Sequence, residues 1–124
     1  MLLLHLLKPL VEYVIGGPIE PAYSFAWIYG RGAEMPAHRD RSPCRYTVTL
    51  LADFVPALEG PTPWPIYIRP RDGRSPVEIQ QSVGDAILFC GQELEHFRPP
   101  FVVGERSTSL LLHYVDQEFS GVLF

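Results

Sequence analysis

Residues 23–29 read Tyr23-Ser24-Phe25-Ala26-Trp27-Ile28-Tyr29, and this stretch decides the fold class. Large aromatics alternate with smaller residues. Side chains two apart on an extended chain share a face, so Tyr23, Phe25, Trp27 and Tyr29 are expected on one side of a strand. The chain on either side continues in the same way. Arg45 to Ala52 is apolar and β-branched at Thr47, Val48 and Thr49. Pro65 to Arg69 and Val77 to Gln80 form a predicted pair across Arg71-Asp72-Gly73, where Asp-Gly signals a hairpin. Ala86 to Cys90 follows a Gly84-Asp85 turn, and Ser107 to Val115 makes a long apolar strand near the end. Short strands at this spacing predict an all-β sandwich or barrel. Upstream, Leu2 to Ile15 has polar breaks at His5, Lys8 and Glu12 at a roughly helical period. Pro9 suits the first turn of a second helical piece, and Gly16-Gly17-Pro18 stops it.

With 124 residues the chain forms one domain, near the low end for a self-sufficient core. Its 13 prolines and 10 glycines are dispersed, so they punctuate turns rather than mark disorder. A net charge of −4 argues against a nucleic-acid surface. Arg31, Arg39, Arg41 and Arg45 nevertheless lie close together and could form a local basic rim. Cys44 and Cys90 do not make a disulfide scaffold and are read as reduced thiols of a cytoplasmic protein. Met1 to Leu7 resembles the start of a signal peptide but lacks a basic lead, is interrupted by Lys8-Pro9 and is too short to span a bilayer. A buried amphipathic helix is the expectation there, with no membrane partner.

The chemistry is carried by histidines. Pro36-Ala37-His38-Arg39-Asp40 places an imidazole and a carboxylate two apart, able to reach one ion from an extended chain. Glu95-His96-Phe97-Arg98 supplies a second imidazole. Two imidazoles and one carboxylate leave coordination positions open, the arrangement of non-haem Fe(II) oxygenases, which need room for a cosubstrate and O2. Taken alone, a His-x-Asp pair is a weak signal. Arg106 follows at the head of the last strand, and an arginine there can grip a carboxylate with two parallel bonds. By itself it would read as a surface charge.

Taken in order, Tyr29 through Gly32, His38 and Asp40, Gly84-Asp85, His96, Arg106 and His113-Tyr114 resemble the 2-oxoglutarate/Fe(II) oxygenase superfamily. The likeness is greatest to its prolyl-hydroxylase-like branch and to small uncharacterised bacterial members, which also carry counterparts of Pro21-x-Tyr23-Ser24 and Trp64-Pro65-Ile66. It runs from about Pro9 to Asp116. The resemblance implies a mainly β fold, a double-stranded β-helix (jelly roll, cupin-like) over residues 21–116, with a short N-terminal helical segment over 1–17. His38, Asp40 and His96 match the iron ligands. Arg106 matches the residue that binds the far carboxylate of 2-oxoglutarate, Thr108 stands where an Arg-x-Ser serine often falls, and Tyr29 matches a tyrosine lining the cosubstrate pocket.

The implied cofactors are Fe(II), 2-oxoglutarate and O2. The implied reaction is hydroxylation of an amino-acid or peptide side chain, or of a small metabolite, with release of succinate and CO2. Related halogenases lack the carboxylate matched by Asp40, so its presence favours hydroxylation. A nucleic-acid demethylase branch would need a second arginine at position 112, where Leu112 stands. Rival readings are a metal cupin that does not use 2-oxoglutarate and an inactive jelly-roll module. Members of the family usually carry more helices than Leu2 to Ile15 provides, and an uncovered sheet face would favour a homodimer. Trp27, Trp64, Cys44 and Cys90 read as wall or packing residues, and His5 and His113 as structural. Glu93 and Glu95 are read as solvent-facing or as supports for His96.

Overall fold

The computed structural model describes residues 2–118. Two short helices, α1 (Leu2–Leu6) and α2 (Lys8–Ile15), precede the strands β1 (Ile19–Gly30), β2 (Met35–His38), β3 (Tyr46–Val55) and β4 (Ile66–Ile68). These are followed by β5 (Val77–Ile79), β6 (Ala86–Phe89), β7 (His96–Arg98) and β8 (Arg106–Asp116). They form two four-stranded sheets, ordered β1-β8-β3-β6 and β2-β7-β4-β5, with every pairing antiparallel. Most connections pass from one sheet to the other, which winds the chain into a double-stranded β-helix, the jelly roll.

The helices divide where Pro9 stands, in the first turn of α2, where its missing N–H is not needed. Gly16 ends α2 with φ +85°, and its N–H bonds to the Glu12 carbonyl. One face of the pair buries Leu4 and Val11 against Ile19, Tyr46, Val48, Leu112 and Tyr114 on the outer face of the β1-β8-β3-β6 sheet. The Tyr114 hydroxyl donates to the Leu4 carbonyl at 2.6 Å, tying helix to sheet. Leu2, Leu6, Leu10, Tyr13 and Val14 lie exposed on the other face. Among the described residues, no helix is long and apolar enough to cross a membrane.

A bulge decides which way β1 faces. Pro21 lies opposite Tyr114 and Tyr23 opposite His113, so Ala22 is an extra residue. An inserted residue reverses the alternation beyond it. Ile19 therefore packs beneath the helices, whereas Tyr23, Phe25, Trp27 and Tyr29 turn into the space between the sheets. The core there holds Ile66, Ile68 and Phe89 with Met35 and Ile79. Tyr29, Phe54, Trp64 and Phe101 form a separate aromatic cluster, with Trp64 Nε1 donating to the Pro99 carbonyl at 2.8 Å. A cavity of about 630 Å³ remains between the sheets.

The predicted hairpin forms, but without a tight turn. Ile66 pairs with Ile79 and Ile68 with Val77, and residues 69–76 bridge them. Gly73, at φ +79°, and the Asp72 carboxylate, which accepts the Arg74 N–H at 3.1 Å, shape the tip of that longer loop.

Candidate metal centre

β2 and β7 run side by side, and their pairing sets His38 directly opposite His96, with the rings 4.4 Å apart. Each ring is tied in the same way: His38 Nδ1 lies 2.8 Å from the Pro36 carbonyl and His96 Nδ1 2.8 Å from the Leu94 carbonyl. A carbonyl can only accept, so each Nδ1 carries a proton, and in the neutral ring each Nε2 presents a lone pair. Both lone pairs face Asp40, whose Oδ1 lies 3.4 Å from His38 Nε2 and 3.2 Å from His96 Nε2. Asp40 is not on the strand, as an extended-chain reading would have it. It stands in the loop after β2, anchored by its N–H to the Gly91 carbonyl at 2.8 Å.

These donors suit a metal. One atom from each of the three residues lies within 4.8 Å of the others. Ligand bonds of about 2.1 Å at right angles would put neighbouring donor atoms about 3 Å apart. Converging lone pairs repel one another unless a cation or a proton sits between them. The set is half-embedded: the side chains of His96 and Asp40 are 4% and 13% exposed, and that of His38 is 41% exposed toward the cavity.

The carboxylate is held from behind. Thr47 donates its hydroxyl proton to Asp40 Oδ2 at 2.7 Å, which leaves Oδ1 to the two imidazoles. Having given up that proton, Thr47 Oγ1 accepts from His113 Nδ1 at 3.1 Å. Burial pulls the His113 pKa down to about 4, so the ring is neutral at pH 7, and the bond to Thr47 fixes its single proton on Nδ1. Burial alone would raise the Asp40 carboxyl, but in the metal-free protein the hydrogen bonds it accepts, from His96 when Nε2 carries a proton and from Thr47, outweigh burial and hold the group below its ordinary value. Gly91 passes so close that a Cβ there would collide with Asp40 Oδ2 and Thr47 Oγ1. Glu93 pairs with Arg45 and Arg71, and Glu95 with Arg69. Neither holds His96 Nδ1, a task that falls to the Leu94 carbonyl.

Arg98 lies two residues beyond His96 on β7, on the same face and in the same cavity. It is 6% exposed, and no carboxylate among the described residues lies within ion-pair distance of it. Its guanidinium rests 5.1 Å from the Trp64 ring and 5.9 Å from that of Tyr29. Burial lowers its pKa, with Tyr29 opposing; a guanidinium nonetheless keeps its charge. Tyr29 itself lines the cavity, its hydroxyl turned to Met35 Sδ at 3.9 Å.

Solved structures of the same architecture include a 2OG-Fe(II) oxygenase family oxidoreductase from Burkholderia pseudomallei, with a TM-score of 0.74 at 16% identity over 90% of this chain. This chain shares the fold of the 2-oxoglutarate/Fe(II) oxygenases. A prolyl-4-hydroxylase from Pseudomonas putida matches with a TM-score of 0.64 at 17% identity over 91% of the chain. HygX from Streptomyces hygroscopicus, solved with nickel and 2-oxoglutarate bound, matches with a TM-score of 0.61 at 14% identity over 93%. The chain spans 55%, 62% and 64% of those three structures. No family model and no curated protein matches the sequence.

Within this oxygenase fold, the structure brings His38, Asp40, His96 and Tyr29 to one cavity but leaves Arg106 and Thr108 outside it. On β8, Leu110, Leu112 and Tyr114 pack toward the helices, and alternation puts Arg106 and Thr108 on that same outward face. Arg106 is exposed there and pairs with Asp53 at 3.1 Å. Leu111 and His113 take the cavity side. The sequence reading passed over Arg98, Thr47 and Gly91 and took His113 as structural. Arg98 was recoverable, because it shares the strand parity of His96. Cys44 is buried and also reaches the cavity, with its Sγ 3.0 Å from the Tyr23 hydroxyl.

Proposed function

We propose that this chain is an Fe(II)- and 2-oxoglutarate-dependent dioxygenase that hydroxylates an amino-acid side chain or small metabolite, releasing succinate and CO2. The observation that carries this reading is the meeting of three metal-ligand atoms with a buried, unpaired arginine in one cavity. His38 Nε2, His96 Nε2 and Asp40 Oδ1 would hold Fe(II) on one side, leaving its other positions open to the cavity. When bound, iron, O2 and 2-oxoglutarate supply the oxidising chemistry: cosubstrate decarboxylation coupled to oxygen insertion into a C–H bond.

The protein's own residues position and shield. The Arg98 fork would grip the far carboxylate of 2-oxoglutarate. It stands about 7 Å along the strand from His96, within the span of a five-carbon diacid anchored at its keto-acid end. Trp64 and Tyr29 wall Arg98 off from water, which strengthens an ion pair formed there. Ile66, Phe89 and Leu111 keep the interior apolar. HygX, with nickel and 2-oxoglutarate bound, is a precedent for this cosubstrate on the same fold.

The test is an anaerobic titration with Fe(II) and then 2-oxoglutarate, following the visible charge-transfer band of the chelate. The band is expected in the wild type and absent from His38→Ala. Iron binding without the band would point to a cupin that does not use 2-oxoglutarate. Unchanged iron stoichiometry in His38→Ala would sink the ligand assignment.

A further inference from the structure

The distribution of ion pairs bears on the substrate. The chain has 10 lysines and arginines against 14 acidic residues. Lys8, Arg45, Arg69, Arg71, Arg74 and Arg106 each face a carboxylate. Arg31, Arg39, Arg41 and Arg98 do not, among the described residues, and all of these except Arg31 line the cavity. An acidic chain with carboxylates to spare has thus left its cavity arginines unpaired. Unpaired cations around a cavity create a positive field that draws in anions.

The three arginines occupy two places. Arg98 lies beside Tyr29, at the end assigned above to the cosubstrate. Arg41 lies 5.2 Å over the Tyr23 ring, with its Nε donating to the Tyr23 hydroxyl at 3.4 Å, and Arg39 is its neighbour across Asp40 in sequence. Tyr23 and Tyr29 are opposite ends of one aromatic row on β1, about 20 Å apart along the strand. Glu34, the cavity's acidic residue besides Asp40, precedes Met35, which pairs across strands with Arg98, so it belongs to the far end from Arg41.

Between those ends the row is continuous, with ring centroids 6.0, 6.0 and 5.8 Å apart from Tyr23 through Phe25 and Trp27 to Tyr29. Phe25 is 36% exposed and Trp27 51% exposed, although both face the cavity. Open aromatic faces beside a metal site form a stacking platform for a ring.

Resting on the oxygenase reading, we infer that the substrate is a ring-bearing carboxylate, its ring laid on Phe25 and Trp27 and its carboxylate held by Arg39 and Arg41. The substrate carboxylate is thereby placed at the opposite end of the aromatic row from Arg98.

Calorimetric binding of 2-naphthoate and its uncharged counterpart 2-naphthamide, at about 0.15 M salt to screen nonspecific attraction, tests this on the full chain. The expected result is at least about tenfold tighter binding of the carboxylate. The Arg39→Gln/Arg41→Gln double variant should bring the two affinities together while still binding the amide, and Trp27→Ala should weaken both probes. Equal affinities in the wild type, no binding of either probe, or a preference that survives the double variant would overturn the inference. So would a preference lost in Arg98→Gln alone, because that places the anion site at the other end. The measurement needs neither iron nor 2-oxoglutarate, so a failed Fe(II) titration would sink the oxygenase reading without deciding this ratio.

Discussion

Thr47 has one hydroxyl proton, and the structure commits it to Asp40 Oδ2 while His113 Nδ1 donates to a lone pair on Thr47 Oγ1. The metal-facing carboxylate is therefore aimed by a side chain that touches no metal. Thr47→Val keeps the shape and removes the donor. It is expected to weaken Fe(II) or Zn(II) affinity by roughly 10- to 100-fold, with Thr47→Ser restoring it, both read by competition with a chelator dye. Equal affinity in all three proteins would reduce Thr47 to packing. His113 carries a pH signature as well. Its folded pKa of about 4 lies below the ordinary 6.5, so as pH falls the unfolded chain takes up the proton first. Its contribution to stability is complete above pH 6.5, declines as pH drops toward 4 and levels off below. Between pH 7 and pH 5 this should cost the wild type about 2 kcal/mol that His113→Gln does not lose, measured by urea unfolding of the metal-free proteins. Parallel pH dependences in the two proteins would refute it.

At the scale of the element, strand parity governs which arginine can serve the cavity. β8 gives alternate residues to the helices and to the cavity, and Arg106 falls on the side of Leu110, Leu112 and Tyr114. On β7, His96 and Arg98 face the cavity together, while Phe97 points the other way and stacks on Tyr67 with ring centroids 5.0 Å apart. Arg98→Gln should therefore raise the 2-oxoglutarate concentration that half-saturates the iron-loaded protein by at least about tenfold. Arg106→Gln, outside the cavity, should leave it within about threefold. The opposite pattern would return the carboxylate site to Arg106. Parity likewise rules β1, where the extra residue at Ala22 turns the aromatic row inward.

For the molecule as a whole, the metal ligands join the loop after β2 to β7, while their supports come from β3 and β8 of the other sheet. An ion bound there clasps both sheets and binds only the folded chain. At a hundredfold excess over its dissociation constant it should stabilise the protein by about 2.7 kcal/mol. A rise in the unfolding midpoint with added Zn(II), absent from Asp40→Ala, is the expected observation. A midpoint indifferent to metal would mean that the clasp does not form.

Much of this was legible in the residues alone. Alternation in Tyr23 to Tyr29 specifies β structure, because the period of two is a local property of the extended backbone, and the long apolar run from Ser107 to Val115 reads as a strand beside it. Pro9 and Gly16 mark the helix boundaries through their own backbone constraints. His38, Asp40 and His96 stand out because few other side chains hold iron. What required the tertiary structure was which face each strand turns inward and who meets whom across the sheets. A bulge of one residue reverses a face without altering composition. The Thr47–His113 bond, the contact of Gly91 with Asp40 and the cavity position of Arg98 arise only when strands distant in sequence are paired. A local pattern tells which residues share a side; only packing tells which side becomes the interior.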